Sequence, residues 1–216
     1  MSLTGLFLIL FLVVHLLGNL QLLYNDDGRA FNRYAAFMST NPLIKLISYT
    51  LYLFILLHAV QGWLLWRKNN TARGAERYAV KVTRATNTSA FAARNMGWLG
   101  TILFVFIAIH MYQFWLQMHL GNLPMVNYDG KEVKDLYFIV NKAYVNPGFV
   151  LFYVLSMVIV AMHLYHGFQS AFQTLGLNHR KYSPLIHWIG RLYAVLVPLA
   201  FALIPVVMYG KVNGWW

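Results

Sequence analysis

Five long apolar segments alternate with short polar stretches along this chain. They run 3–24, 43–66, 96–118, 148–175 and 185–209, and each meets the ~20 residues a helix needs to cross a hydrocarbon core. The flanks carry matching punctuation. Pro42, Pro147 and Pro184 stand just before a span, where a missing N–H costs nothing. Pro198 and Pro205 lie inside the fifth span, where a kink is expected. Trp63, Trp66, Trp98, Trp115, Trp215 and Trp216 lie near span ends, as rings that sit at the headgroup level do. The pattern predicts an all-α integral membrane protein, one domain over 1–216. Its five transmembrane helices should place spans one to four in a four-helix bundle.

Composition narrows the class. The chain has 216 residues, of which 59% are hydrophobic and 11% charged, the balance of a membrane protein with no room for a sizeable second domain. The first apolar stretch has no basic n-region and no small-residue cleavage site, so it reads as a retained helix. The lack of charge before Asp26 is the pattern of a chain from which a short cytoplasmic leader is missing. Cysteine is absent, which excludes disulfides, thiolate-held iron–sulfur clusters and cysteine-attached haem. No glycine-rich phosphate loop is present, so no nucleotide or flavin fold is encoded. Any redox chemistry must be fed by other subunits.

The charge of +11 is mostly a topological signal. The second loop holds Arg67, Lys68, Arg73, Arg77, Lys81, Arg84 and Arg94 against the single acid Glu76, and the fourth carries Arg180 and Lys181. In the first and third loops, Asp26, Asp27, Asp129, Glu132 and Asp135 offset the basic residues. The positive-inside rule then puts the second and fourth loops in the cytoplasm, with the N-terminus inside and the C-terminus outside. Basic residues that flank spans do not form a nucleic-acid-binding face. The second loop exceeds what topology requires, and its surplus suits an acidic partner surface on the cytoplasmic side.

Spans one to four each contain a histidine past their midpoint: His15, His58, His110 and His163. Intramembrane histidines are rare because lipid cannot satisfy their ring nitrogens. Successive spans run in opposite directions, so His15 and His110 fall at one depth and His58 and His163 at another. In an up-and-down bundle those pairs are also diagonal, about 14 Å apart at the helix axes. Two ligands at each depth suit two six-coordinate haem irons, His15 and His110 on the outer and His58 and His163 on the inner. Polar glue between helices, or a proton path, is the alternative. Gly18, Gly62 and Gly167 follow three of the ligands on the same helix face, leaving room for a flat macrocycle or, equally, serving helix packing. Arg94 and Arg191 are candidates for haem propionates, with snorkelling to headgroups as the competing role. His166 competes with His163, His119 and His179 read as interfacial, and His187 begins the fifth span. Ser2, Asn19, Gln61 and Gln169 are further candidates for polar contact with haem or quinone.

Around these residues the chain resembles the cytochrome b membrane anchor of succinate dehydrogenases and fumarate reductases, in the single-subunit, five-span, di-haem class. The carrying stretches are TGLFLILFLVVH, LLHAVQGWLLWRK, GTILFVFIAIH and HLYHGFQSAFQTLG. In that family a glycine follows the fourth ligand by four residues, and a W-G or L-G pair closes the helix. This register selects His163, with Gly167 and Leu175–Gly176, over His166. The resemblance implies two non-covalent b haems stacked in the bundle, and a flavoprotein and an iron–sulfur subunit on the cytoplasmic face of a bacterial inner membrane. It further implies electron flow from succinate to quinone, with menaquinone reduced near the outer haem. The catalytic succinate site would lie on another chain. A glutamate that some members carry two residues before the fourth ligand is here Ala161, so its proton path does not transfer. A di-haem cytochrome b of a formate dehydrogenase or hydrogenase is the competing assignment, and a haem-free transporter subunit a third.

Overall fold

The computed structural model describes residues 1–72, 90–121, 123–177 and 179–215. Arg73, Glu76, Arg77, Lys81, Arg84 and Trp216 lie outside them. Among the described residues, five helices are long and apolar enough to cross a membrane, at Ser2–Leu23, Pro42–Ala72, Phe91–Leu120, Pro147–Thr174 and Ser183–Val212. The protein is therefore an all-α, multi-pass membrane protein.

The first span is α1 (Ser2–Leu20), closed by a tight turn at Gln21–Leu23. The second is preceded by a short amphipathic helix, α2 (Arg29–Thr40), and runs as α3 from Pro42 to Ala72. It outlasts its apolar stretch because Arg67, Lys68, Asn69 and Asn70 continue the helix without a glycine or proline. Asn41 caps it, its side-chain oxygen accepting from the Leu43 and Ile44 N–H groups. The third span is α4 (Ala90–His110), widened into a π-helical turn at Met111–Leu116 and finished by α5 (Gln117–Leu120). Strands β1 (Met125–Tyr128) and β2 (Lys131–Lys134) follow, then α6 (Leu136–Tyr144). The fourth and fifth spans are α7 (Pro147–Thr174) and α8 (Ser183–Val212). Asn146 caps α7 by accepting from the Gly148 N–H, with Pro147 in the first turn. Helix α8 runs on through Pro198 and Pro205, both buried.

Helix α1 packs against α3 and α7, and α4 packs against the same two. Helices α1 and α4 therefore face each other across the ring of four, as do α3 and α7. Helix α8 lies outside this ring against α7 and α1. Its approach to α7 depends on Gly190, where a Cβ would stand 2.5 Å from the Phe168 ring.

One end of the bundle carries a folded cap that the polar pattern of loops one and three did not announce. Asp129 and Gly130 both have positive φ and link β1 to β2 as a two-residue turn, the geometry Asp-Gly favours. Asn32 on α2 is fully buried. It donates to Tyr128 Oη at 3.1 Å and Asp135 Oδ1 at 2.9 Å, and accepts from the Tyr137 N–H at 2.9 Å. Arg29 and Arg33 both pair with Asp129. Lys211, near the end of α8, donates to the carbonyls of Leu23 and Tyr24 at 3.0 and 2.8 Å, tying α8 to the end of α1. The best-packed apolar core lies at this hairpin end, around Leu22, Phe31, Val140, Tyr144, Tyr153, Ile204 and Met208.

Candidate functional site

The four span histidines meet as two pairs. The rings of His15 and His110 have centroids 5.8 Å apart, and those of His58 and His163 are 6.3 Å apart. Each pair joins helices that are opposite in the ring, α1 with α4 and α3 with α7. Among the described residues no group of three or more His, Asp or Glu converges. A metal–imidazole bond is ~2.0 Å, and the ring centroid lies about 1.1 Å behind the nitrogen, so two imidazoles sharing one metal have centroids about 6 Å apart. Both pairs fit that separation. An ordinary edge-to-face ring contact has similar spacing, so the second ring nitrogen carries the discrimination.

For His58 that nitrogen is held by a buried hydroxyl. Thr4 donates its O–H to the Met1 carbonyl at 2.8 Å, and its oxygen lies 3.1 Å from His58 Nδ1. With that proton directed at Met1, the Thr4 oxygen is placed to accept from Nδ1, and the tautomer protonated there is the one that leaves the Nε2 lone pair free. His110 repeats the device. Tyr153 donates to Gln113 Oε1 at 2.6 Å, and its oxygen is 3.4 Å from His110 Nδ1, a longer contact. Metal-binding histidines characteristically donate their second nitrogen in this way. At His15, the Asn19 amide nitrogen is 3.4 Å from Nδ1 and donates to the His15 carbonyl at 2.8 Å. His163 Nδ1 is buried with no hydrogen-bond partner among the described residues.

The surroundings of the pairs differ. His15 and His110 stand among Phe11, Phe106, Phe114, Phe201 and Tyr153. The other pair is flanked by glycines instead. A Cβ on Gly5 would stand 3.3 Å from His58 Cε1, and one on Gly100 3.9 Å from His163 Cε1. These two are not among the glycines that follow the histidines in sequence, yet their own spacing is legible. Gly5 and Gly100 each precede the histidine of their own helix by ten residues, a rise of about 15 Å. That spacing carries each glycine to the depth of the other pair.

The expected glycines divide. No atom lies within 4 Å of a Cβ placed on Gly167, and the nearest to one on Gly62 is Met1 Cε at 3.2 Å. Gly18 has a different setting, since a Cβ there would stand 2.4 Å from the Tyr34 ring of α2. Its bare face admits the Tyr34 ring of α2, which is the helix-packing alternative for this glycine. Arg94 and Arg191 are both exposed, at the end remote from the hairpin. His119 is exposed and stacks on Trp115, and His179 is exposed in the turn before α8.

Among the described residues, Asn141 Oδ1 on α6 is one buried polar atom without a hydrogen-bond partner, and the others, Gln61 Oε1, His163 Nδ1, His166 Nδ1, His187 Nδ1 and both amide atoms of Gln169, gather away from the hairpin. Each such atom costs ~1–3 kcal/mol if nothing satisfies it, so a cluster at one end is the chemistry of a site for a polar group. At the hairpin end, a surface cavity of about 480 Å³ is lined by Gln21, Asp26, Arg29, Arg33, Tyr34 and Phe37. No histidine lines it.

Comparison with known protein families, with curated proteins and with solved structures finds no match.

Proposed function

We propose that this chain is the di-haem cytochrome b membrane anchor of a succinate:quinone oxidoreductase, holding two non-covalent b haems between its paired histidines. The observation that carries the proposal is the pairing itself. Two histidine pairs join opposite helices at two depths, with centroid separations of 5.8 and 6.3 Å that suit two imidazoles on one iron. Haem b, when bound, supplies a one-electron carrier.

The chain's own residues bind, orient and exclude water. His58 and His163 would hold the inner haem, and His15 and His110 the outer. Thr4 and Tyr153 keep the Nδ1 proton on His58 and His110, so that Nε2 is free to ligate. Gly5, Gly100 and Gly167 leave room for a flat macrocycle beside the inner pair. His166, Gln169 and His187, whose buried atoms lack partners, are suited to its propionates, with Arg94 and Arg191 at the same end. The apolar faces of the spans keep water from both pairs.

With the basic second and fourth loops in the cytoplasm, the end remote from the hairpin faces inward. There the flavoprotein and iron–sulfur subunits would dock, in a bacterial inner membrane. The hairpin cap would face outward, with the quinone, menaquinone, reduced on that side.

The test is a reduced-minus-oxidised spectrum and a pyridine haemochrome assay on the complex purified from its own membranes. About two haem b per chain are expected, both reducible by succinate when the soluble subunits are present. A chain with no Soret band would support the transporter reading and end the proposal. Haems that succinate cannot reduce would move it to another respiratory enzyme.

A further inference from the structure

The two hydroxyl relays are not distributed evenly over the four histidines. Each pair has one histidine with a buried hydroxyl at Nδ1 and one without. Thr4 serves His58, while Nδ1 of its partner His163 has no hydrogen-bond partner among the described residues. Tyr153 serves His110, while His15 meets only the Asn19 amide at 3.4 Å. Both hydroxyls are buried, Thr4 at 8% exposure and Tyr153 at 5%, and the proton of each is spent on another acceptor.

Their positions follow the same spacing as the flanking glycines. Thr4 lies eleven residues before His15, and Tyr153 ten before His163. Each is therefore carried by its helix to the depth of the other pair, where it meets a histidine of a different helix. The π-helical turn begins directly after His110 and contains Gln113, the acceptor for Tyr153. Such widened turns often mark functional positions.

We propose that Thr4 and Tyr153 are positioning residues that set the electron donation of one axial histidine per haem, so that each tunes the potential of one haem and not the other. The proposal rests on the di-haem reading. An imidazole whose Nδ1–H is drawn toward an acceptor is a more basic ligand. It stabilises ferric over ferrous iron, so the relay holds that haem's potential down. The Thr4 contact at 3.1 Å is shorter than the Tyr153 contact at 3.4 Å, and hydrogen bonds weaken with length. Thr4 therefore exerts the larger effect.

The experiment is a potentiometric titration of the intact complex, read optically and by the low-spin EPR signals of the two haems. Each haem is assigned from the signal lost in His58→Ala or His110→Ala. Thr4→Val should raise the potential of the His58–His163 haem alone, and Tyr153→Phe should raise that of the His15–His110 haem alone by less. Thr4→Ser keeps the hydroxyl and should restore the wild-type value. Gln113→Leu keeps the tyrosine ring but frees its proton, and should move the same potential as Tyr153→Phe. A variant that loses haem only from its own pair also supports the assignment. Unchanged potentials at full haem content would overturn it, as would a single variant shifting both haems equally. Wild-type protein with no haem refutes the di-haem reading itself, a result the titration separates from failure of the relays.

Discussion

The di-haem proposal makes a specific demand on combinations of histidine substitutions, because its two histidine pairs lie at two depths. Within a pair the rings are 5.8 or 6.3 Å apart and share one site. Between pairs, the ten-residue spacing from Gly5 to His15 and from Gly100 to His110 corresponds to about 15 Å of helix rise. Substitutions more than ~7–10 Å apart with no shared partner behave independently, whereas those in one site do not. His58→Ala alone should thus lower the low-spin haem content from about two to about one per chain, and adding His163→Ala should lower it no further. Combining His58→Ala with His110→Ala should abolish it. The content of low-spin haem, from pyridine haemochrome and EPR on purified protein, is the assay, with His166→Ala as a control that retains both signals. If the His58–His163 double variant lost both haems while the His58–His110 variant kept one, the assignment of pairs would be refuted.

Other outcomes test the supporting parts of the fold. Asn32→Ala orphans the part-buried Tyr137 N–H and removes a donor from Asp135, so at up to ~1–3 kcal/mol per unsatisfied group it should loosen the cap. Faster amide exchange over residues 125–144 with both haems retained is expected, and unchanged exchange would contradict the role given to Asn32. Gly5→Val crowds His58 Cε1, already 3.3 Å from a plain Cβ, and should release the inner haem selectively; full retention of that haem would show that the ring can yield. Replacing Arg73, Arg77, Lys81 and Arg84 together by glutamine should weaken retention of the soluble subunits on washed membranes, and more so at high salt, since exposed pairs contribute only ~0.2–1 kcal/mol each and are screened. Membranes of that variant that keep full succinate dehydrogenase activity after a high-salt wash would reduce the loop to a topology determinant.

How far the chain could be read without its structure depended on the range of the interactions involved. Span positions are local properties, because apolar length and the flanking Pro42, Pro147 and Pro184 act within one helix. The expected spans accordingly differ from the observed helices mainly by polar turns such as Arg67–Asn70, which continue α3 without apolar residues. The Asp129–Gly130 hairpin was also local and legible, as a favoured turn dipeptide between short strands, but it was passed over among the mixed charges of the third loop. The cap around Asn32 was not legible. Its partners Tyr128, Asp135 and Tyr137 are about a hundred positions away in sequence, and nothing in α2 alone names them.

The histidines show the same division. One histidine per span, alternating in depth, is a statement about periodicity and chain direction, both of which the residue order determines. Which histidines face one another depends on α1 and α4 lying opposite each other across the ring, a product of packing among four helices. The neighbours of the rings depend on packing still more. Gly18 has the spacing of a haem-facing glycine yet receives Tyr34, while Gly5 and Gly100 take the places beside the rings. Thr4 and Tyr153 are ordinary residues in their own helices. They reach His58 and His110 only because adjacent helices bring distant segments to one depth, where a hydroxyl that donates to Met1 or Gln113 still has an oxygen beside a histidine of another helix.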